Sequence, residues 1–280
     1  MIIFLYRNAL KRKSKNLAVG IREFLTSNNV KVTTKDQDAK TIGAIPLSEI
    51  DPKSIDFTIS LGGDGTILRM LHKHPEITAP VIGINLGSLG FMADIPLSEI
   101  YPSLHDLLNK NFAVQSRIMM EGESVGNETC FAVNEIAFHR ASNPNLIDIA
   151  IHVDGNYLNT FAADGIIFST PCGSTAYSLA AGGPILTPEL EAFILTPISP
   201  HTISNRPVVL MPKQEIQIQY ISELNPIEVI SDGLASFHLS TSEVFYIRRS
   251  KRTFRLVNLP HHDFYSTLRS KLGWTGKMRA

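Results

Sequence analysis

The chain has 280 residues, 44% of them apolar, with 26 basic and 26 acidic side chains and two cysteines. That length and apolar content can bury a large core in two domains, and zero net charge excludes a general attraction to nucleic acid or acidic membranes. Cys130 and Cys172 make neither a disulfide framework nor a zinc pattern, which points to a cytoplasmic protein.

The apolar start, Met1 to Tyr6, is too short for the core of a secretion signal and precedes the basic residues instead of following them. Residues 2–6 read as a first buried strand. No run has the length of a membrane-spanning helix, so no membrane partner is expected. Five basic residues lie between Arg7 and Lys15. Leu17, Val19, Ile21, Phe24 and Leu25 then predict a helix to about Ser27, and the basic cluster reads first as its solvated start and second as a phosphate contact. Val30–Thr34 is a short second strand. The hexapeptide Ile45-Pro46-Leu47-Ser48-Glu49-Ile50 recurs at Ile95–Ile100. The flanks differ, so it marks two similar turn or helix entries and not a structural repeat.

Asp56 to Leu61 alternates apolar and polar residues as a strand does. Gly62-Gly63-Asp64-Gly65-Thr66 follows, and then Ile67, Leu68, Met70 and Leu71 supply a helical apolar face that Thr66 can cap. The three glycines permit positive φ and close backbone approach. Strand, glycine turn and helix start together aim N–H groups and a positive dipole end at phosphate, with Gly62, Gly63, Gly65 and Thr66 as the phosphate-binding candidates. The loop lacks the lysine of a Walker A motif and is not G-x-G-x-x-G. Its one ionisable group, Asp64, would repel phosphate unless it binds a metal ion or takes a proton from an attacking hydroxyl, and both roles belong to phosphoryl transfer. An ordinary βα turn is the alternative. Val81–Asn85 is a fourth strand, Leu86–Phe91 a second glycine-rich turn, and Leu104–Asn109 a closing helix. Alternating strands and helices predict an open, Rossmann-like parallel α/β sheet over residues 1–115, with ligands outside the carboxyl ends of its strands.

From about Arg117 the pattern becomes β-rich. The predicted strands are Cys130–His139, Ile147–Val153, Asn156–Phe161, Gly165–Ser169, Val208–Met211, Ile216–Ile221, Ile227–Ile230, Val244–Arg248 and Phe254–Leu259, with Asp154-Gly155 as a hairpin turn. Residues 116–259 therefore read as a second domain of two packed sheets, a β-sandwich. Between Asn127 and Ile247 twelve Asp and Glu face three Lys and Arg, which argues against a nucleic-acid partner. Thr175–Ala181 and Pro188–Leu195 are short helix candidates. The tail, 260–280, places Phe264, Leu268, Leu272 and Trp274 at helical spacing, to pack on the first domain or on another subunit.

The second dense stretch runs from Ala163-Asp164-Gly165 through Pro171-Cys172-Gly173-Ser174-Thr175-Ala176-Tyr177 to Gly182-Gly183-Pro184. A strand enters a turn that gathers free N–H groups, hydroxyls and a phenol. Such a set can read a purine edge and ribose hydroxyls, and it can equally be a tightly packed strand–helix corner. Asn134-Glu135 interrupts an apolar strand and suits ribose hydroxyls, or forms a satisfied structural pair. Asp232-Gly233 reads as a plain turn.

Taken together these residues resemble the NAD kinase family over nearly the whole chain. Gly62–Thr66 is similar to its GGDG motif, Gly83–Phe91 to its next loop, Asn134-Glu135 to its NE motif, and Asp164 through Thr175-Ala176-Tyr177-Ser178 and Gly182-Gly183-Pro184 to its most diagnostic segment. Pro200–Pro207 and Leu268–Trp274 agree as well. The resemblance implies transfer of the γ-phosphoryl of ATP, or of polyphosphate in some members, to the 2′-hydroxyl of the adenosine ribose of NAD. It further implies a divalent metal such as Mg²⁺, whose ligands the sequence does not name, and a cytoplasmic homo-oligomer, dimer or tetramer. By the same resemblance Asp64 would deprotonate or orient the hydroxyl, and Gly65 and its neighbours would line the phosphates. Asn134 and Glu135 would hold the ribose. Asp164, Thr175, Ala176 and Tyr177, with Ser178, Leu179 and Ala180 beside them, would meet the adenine nucleoside. Three positions depart from the common pattern: Cys172 stands where Ser or Thr is frequent, Ala162 replaces a basic residue, and Leu234 follows Asp232-Gly233 where Gln is common.

Two other functions compete. One is another GGDGT kinase, acting on a lipid or sugar; a lipid kinase would show an apolar or basic membrane face, which the acidic second half opposes. The other is a dinucleotide sensor without catalysis, which the presence of Asp64 disfavours.

Overall fold

A computed structural model describes residues 1–202, 204–212, 214–260, 263–274 and 276. The chain divides into two compact units, residues 1–116 with 255–280, and residues 117–254. The carboxyl-terminal residues, from 255 on, thus belong with the first unit.

In the first unit, β1 (Ile2–Arg7), α1 (Ser14–Ser27), β2 (Lys31–Thr34), α2 (Asp36–Ile42), β3 (Ile45–Pro46), β4 (Phe57–Gly62), α3 (Asp64–Lys73), β5 (Val81–Asn85) and α4 (Ile100–Leu108) follow one another. The strands pair in parallel in the order β3-β2-β1-β4-β5. This is the doubly wound arrangement, and the chain reverses direction across the sheet between β1 and β4. Strand alternation decides the layers. Ile3 and Leu5 of β1 join Ile59, Leu61, Ile82 and Ile84 in a core covered by Ala18, Ile21 and Leu25 of α1 and by Leu104 and Leu107 of α4. Phe4 and Tyr6, of opposite parity, meet the ring of His74 just beyond α3, at centroid distances of 5.4 and 6.0 Å. Both copies of the repeated hexapeptide form a single 3₁₀ turn, Leu47–Glu49 and Leu97–Glu99, as expected for similar entries. The helix α2 carries no long apolar face and was not legible. In the tail, α6 (Phe264–Leu272) places the Phe264 ring 5.7 Å from that of Phe91; the remainder of the predicted tail lies largely outside the described residues.

The second unit contains β6 (Ala113–Ser124, from Arg117 on), β7 (Thr129–Ala132), β8 (Glu135–His139), β9 (Ile147–Val153), β10 (Asn156–Ala163), β11 (Gly165–Ser169), α5 (Tyr177–Ala180), β12 (Phe193–Ile198), β13 (Val208–Leu210), β14 (Ile216–Tyr220), β15 (Ile227–Ser231), β16 (Ala235–Leu239) and β17 (Val244–Asn258) up to Phe254. One antiparallel sheet has the order β13-β12-β11-β8-β15-β16. The other runs β10-β9-β14-β17, with β6 beside β17 and β7 beside β6. Phe138 and Phe168 of the first sheet and Phe245 of the second share one core with ring distances of 6.0 and 5.4 Å. That is the two-sheet packing read from the sequence. Asp154 and Gly155 both take positive φ, 50° and 77°, in the predicted β9–β10 hairpin.

Four local expectations are corrected. Pro188–Leu195 is no helix: Phe193–Ile198 is a strand paired on both sides, and before it only Pro188-Glu189 forms a turn. Cys130–His139 is two strands, broken at Val133-Asn134. Val244–Arg248 and most of Phe254–Leu259 belong to one fifteen-residue strand that ends at Asn258, because the polar stretch between them alternates with buried Ser250 and Phe254. Thr175–Ala181 begins as a 3₁₀ turn, Gly173–Thr175, and only Tyr177–Ala180 is α-helical.

A close approach in the first unit decides where the second glycine-rich turn lies. A Cβ on Gly83 of β5 would stand 2.2 Å from the Met92 carbonyl oxygen and 2.6 Å from the Ala93 Cα. We expect Gly83→Ala to destabilise the protein by about 1–3 kcal/mol, the usual cost of overpacking. Thermal unfolding measures this; an unchanged midpoint would show that residues 92–93 yield freely.

Candidate active site

The first unit carries the glycine loop where β4 ends and α3 begins. None of Gly62, Gly63 and Gly65 has positive φ, so the first reason given for these glycines does not hold. Their use is close approach. A Cβ on Gly62 would lie 2.1 Å from the Thr66 hydroxyl. Thr66 is buried, and its hydroxyl accepts the Gly63 N–H at 3.3 Å, tying the loop to the third position of the helix. The first helical N–H groups, those of Asp64 and Gly65, have no acceptor within the helix. Beside them Arg69, which sequence reasoning did not single out, brings Nη1 to 3.9 Å from the Cβ position of Gly65.

The Asp64 side chain turns into the second glycine-rich turn. Its Oδ1 accepts the N–H groups of Met92 and Ala93 at 3.1 and 2.8 Å, and its Oδ2 accepts that of Phe91 at 2.9 Å. Gly90 makes room: a Cβ there would stand 2.1 Å from Oδ1. Oδ1 is thereby filled and Oδ2 keeps capacity for one further donor or cation. The sequence showed both turns but not that one carboxylate joins them.

The second unit gathers most of the other predicted residues around Asn134-Glu135. Asp232, which reads as a plain turn residue, is buried. Its carboxylate accepts three consecutive N–H groups, those of Val133 at 2.9 Å, Asn134 at 2.7 Å and Glu135 at 3.2 Å. The Pro171–Thr175 turn sits directly on this segment. Thr170 N–H donates to the Asn134 carbonyl at 2.8 Å, and a Cβ on Gly173 would stand 2.2 Å from the same oxygen. Asn134 Oδ1 and Glu135 Oε2 are both buried without a hydrogen-bond partner. Buried acceptors left without partners are costly unless a ligand pairs them. Burial, reinforced by the Asp232 carboxylate, pushes Glu135 up to about 8, with the Tyr177 N–H opposing the shift. Glu135 is accordingly a neutral acid at pH 7, able to donate one hydrogen bond and accept another.

Tyr177 is partly exposed and its hydroxyl lies 3.1 Å from His139 Nε2. Burial and then the Glu135 and Asp164 carboxylates raise its phenol. Asp164 is paired with Arg140 Nε at 2.7 Å. Thr175 Oγ1 donates to the Cys172 carbonyl at 3.1 Å, and Ala176 links the turn to α5. Ser178 points into the core, its hydroxyl 2.9 Å from that of Thr196, whereas Leu179 is half-buried and Ala180 exposed. Cys172 is buried with its Sγ 3.6 Å from Arg117 Nη1, and burial pushes the Cys130 thiol up to about 12. That burial sets Cys130 against acting as a nucleophile. Ala162 is half-buried in β10 and Leu234 lies exposed in the turn after Asp232.

Among the described residues no group of three His, Cys, Asp or Glu gathers as a metal site, and no helix is long and apolar enough to cross a membrane.

The raised Glu135 value has a consequence with a definite sign. Between its unfolded value near 4.5 and about 8, the folded state holds a proton that the unfolded state has lost. This acid's contribution therefore weakens stability as pH rises through that window and levels off above it. Glu135→Gln, neutral throughout, should lose less stability than the parent between pH 5 and 8.5. Parallel denaturation profiles for the two proteins would refute the neutral acid.

Comparison with known proteins identifies the family. The model of the ATP-NAD kinase N-terminal domain matches residues 3–112, and that of the ATP-NAD kinase C-terminal domain matches residues 133–259. An NAD kinase of Protochlamydia amoebophila is 60% identical over 278 residues, spanning 99% of this chain and 100% of the relative. One of Nitrosomonas eutropha is 37% identical over 270 residues, spanning 92% and 89%. Among solved structures, an NAD kinase from Archaeoglobus fulgidus in complex with ATP superposes with a TM-score of 0.77 at 27% identity, covering 99% of this chain and 100% of that one. Yeast NADH kinase complexed with NADH shares the fold, with a TM-score of 0.87 at 24% identity over 100% of this chain and 89% of that one. With both domain models matched in order and a relative at 60% identity over its full length, the chain belongs to the ATP-NAD kinase family.

Proposed function

We infer that the protein is an NAD kinase, transferring the γ-phosphoryl of ATP to the 2′-hydroxyl of the adenosine ribose of NAD to give NADP. The observation that carries the chemistry is Asp64. It stands at the amino end of α3, its carboxylate is oriented by three N–H groups, and Oδ2 keeps one acceptor position. Phosphoryl transfer asks little covalent chemistry of the protein and much positioning. Asp64 orients the attacking hydroxyl and accepts its proton, and the N–H groups of the Gly62–Thr66 loop and the α3 dipole receive phosphate oxygens.

The second unit supplies acceptor recognition. The unpartnered Asn134 Oδ1 and the neutral Glu135 carboxyl match a ribose diol, which both donates and accepts. Asp164, Thr175, Ala176 and Tyr177 form the surface for the adenine nucleoside. Mg²⁺ is held in such reactions by one or two carboxylates together with substrate phosphates. Here the ion would rest on the substrate phosphates and neutralise their charge, because the one free position of Asp64 Oδ2 serves the attacking hydroxyl. The cytoplasmic location and the homo-oligomer, dimer or tetramer, expected from the family belong to the same proposal; sedimentation velocity reads the assembly.

Pure protein incubated with ATP, Mg²⁺ and NAD, and then with NADH or polyphosphate in exchange, should yield NADP(H), and the rates rank the donors and acceptors. Asp64→Asn should lower kcat by roughly 10²–10⁴-fold, the range for a lost general base. The asparagine retains Oδ1 for two of the three N–H groups, so circular dichroism should show a folded protein. Near-normal turnover in that variant would remove Asp64 from the mechanism.

A further inference from the structure

The glycine loop offers N–H groups and a helix dipole, yet within it the one charged side chain is an acid. A phosphoryl donor carries several negative charges, and loops of this kind elsewhere in α/β proteins bring a cation of their own. In the first unit the strand order reverses between β1 and β4, so the loops that follow these two strands border the crevice where doubly wound sheets take their ligands. One is the glycine loop. The other is Asn8–Lys13, the basic segment whose purpose the sequence left open.

This second loop is a built turn. Arg7 pairs with Leu61 at the end of β4, and the Asn8 N–H donates to the Leu61 carbonyl at 2.9 Å. The Asn8 carbonyl accepts the Lys11 N–H at 3.1 Å and the hydroxyl of buried Ser14 at 2.8 Å, while Asn8 Oδ1 accepts the Leu10 N–H at 3.0 Å. The turn carries Lys11 toward the second glycine-rich loop, and its Nζ lies 3.9 Å from the Cβ position of Gly87. That loop is itself tied to the first, since the Leu86 N–H donates to the Gly62 carbonyl at 2.8 Å. Of the other nearby cations, Arg7 and Lys35 both pair with Asp38, and Arg69 of α3 stands on the helix side of the loop, beside Gly65. The Lys11 ammonium has no carboxylate partner among the described residues.

We propose that Lys11 binds the phosphate chain of the phosphoryl donor, supplying a cation from the loop after β1, on the side of the glycine loop away from Arg69's helix. A lysine suits this position, because its ammonium is a mobile point charge with three donors that can follow phosphate oxygens. The proposal rests on the kinase reading above, and its test separates the two.

Two measurements decide it. In steady-state kinetics Lys11→Met should raise KM for ATP by about tenfold or more, the loss expected for a hydrogen bond between charged groups. KM for NAD should stay within about twofold, and Lys11→Arg should recover most of the ATP affinity. In calorimetry with inorganic tripolyphosphate and Mg²⁺, Lys11→Met should bind more weakly than the parent by a similar factor. Lys31→Met, altered at the amino end of β2, should match the parent. Unchanged KM for ATP together with unchanged tripolyphosphate affinity in Lys11→Met would overturn the proposal. Lysine-dependent tripolyphosphate binding in a protein that makes no NADP would sink the kinase reading and leave the Lys11 site standing.

Discussion

One device recurs in both units: a carboxylate gripped by three consecutive main-chain N–H groups. Asp64 holds Phe91, Met92 and Ala93, and Asp232 holds Val133, Asn134 and Glu135. Irregular segments cannot satisfy their own N–H groups as helices and sheets do, and buried ones must find acceptors elsewhere. A single anion can serve several at once, with charge-assisted bonds stronger than neutral ones. Each candidate loop therefore has its shape set by one acid distant in sequence. In the first unit that acid also keeps one acceptor position on Oδ2; in the second it holds the Val133–Glu135 segment in place.

The glycines around these acids follow from the same constraint. Gly90 leaves space for the Asp64 carboxylate, Gly83 for the Met92 carbonyl, Gly62 for the Thr66 side chain and Gly173 for the Asn134 carbonyl. In each case backbone or a short polar group occupies the volume of a methyl. Neither loop is organised by left-handed conformations at these positions. They are organised by contact, which makes them stiff, and stiffness is what positioning chemistry needs.

Burial gives the second unit its chemical character. Placing Glu135 beside Asp232 leaves two acids in an apolar setting where both cannot ionise cheaply. Asp232 has three N–H donors and Glu135 has an oxygen without a partner, so Glu135 is the one that keeps its proton. The outcome is a neutral acid among hydroxyls, N–H groups and a phenol, suited to a diol, while the first unit presents N–H groups, a helix dipole and cations, suited to phosphates.

The sequence by itself determined the architecture and the kind of chemistry. Period-two strands alternating with amphipathic helices specify a parallel sheet, and the later β-runs with Asp154-Gly155 specify a two-sheet domain, because both patterns are local consequences of which faces are buried. The glycine loop with its lone carboxylate was legible for the same reason. Only the tertiary structure decided what Asp232 does, why Pro188–Leu195 is not a helix, that Asp64 is held from the Phe91–Ala93 segment, and that Lys11 stands beside Gly87. These depend on contacts between residues far apart in the chain, such as Asp232 and Val133 across 99 positions. Composition and spacing carry no record of such a pairing, since burial and hydrogen-bond partners arise only when the strands assemble.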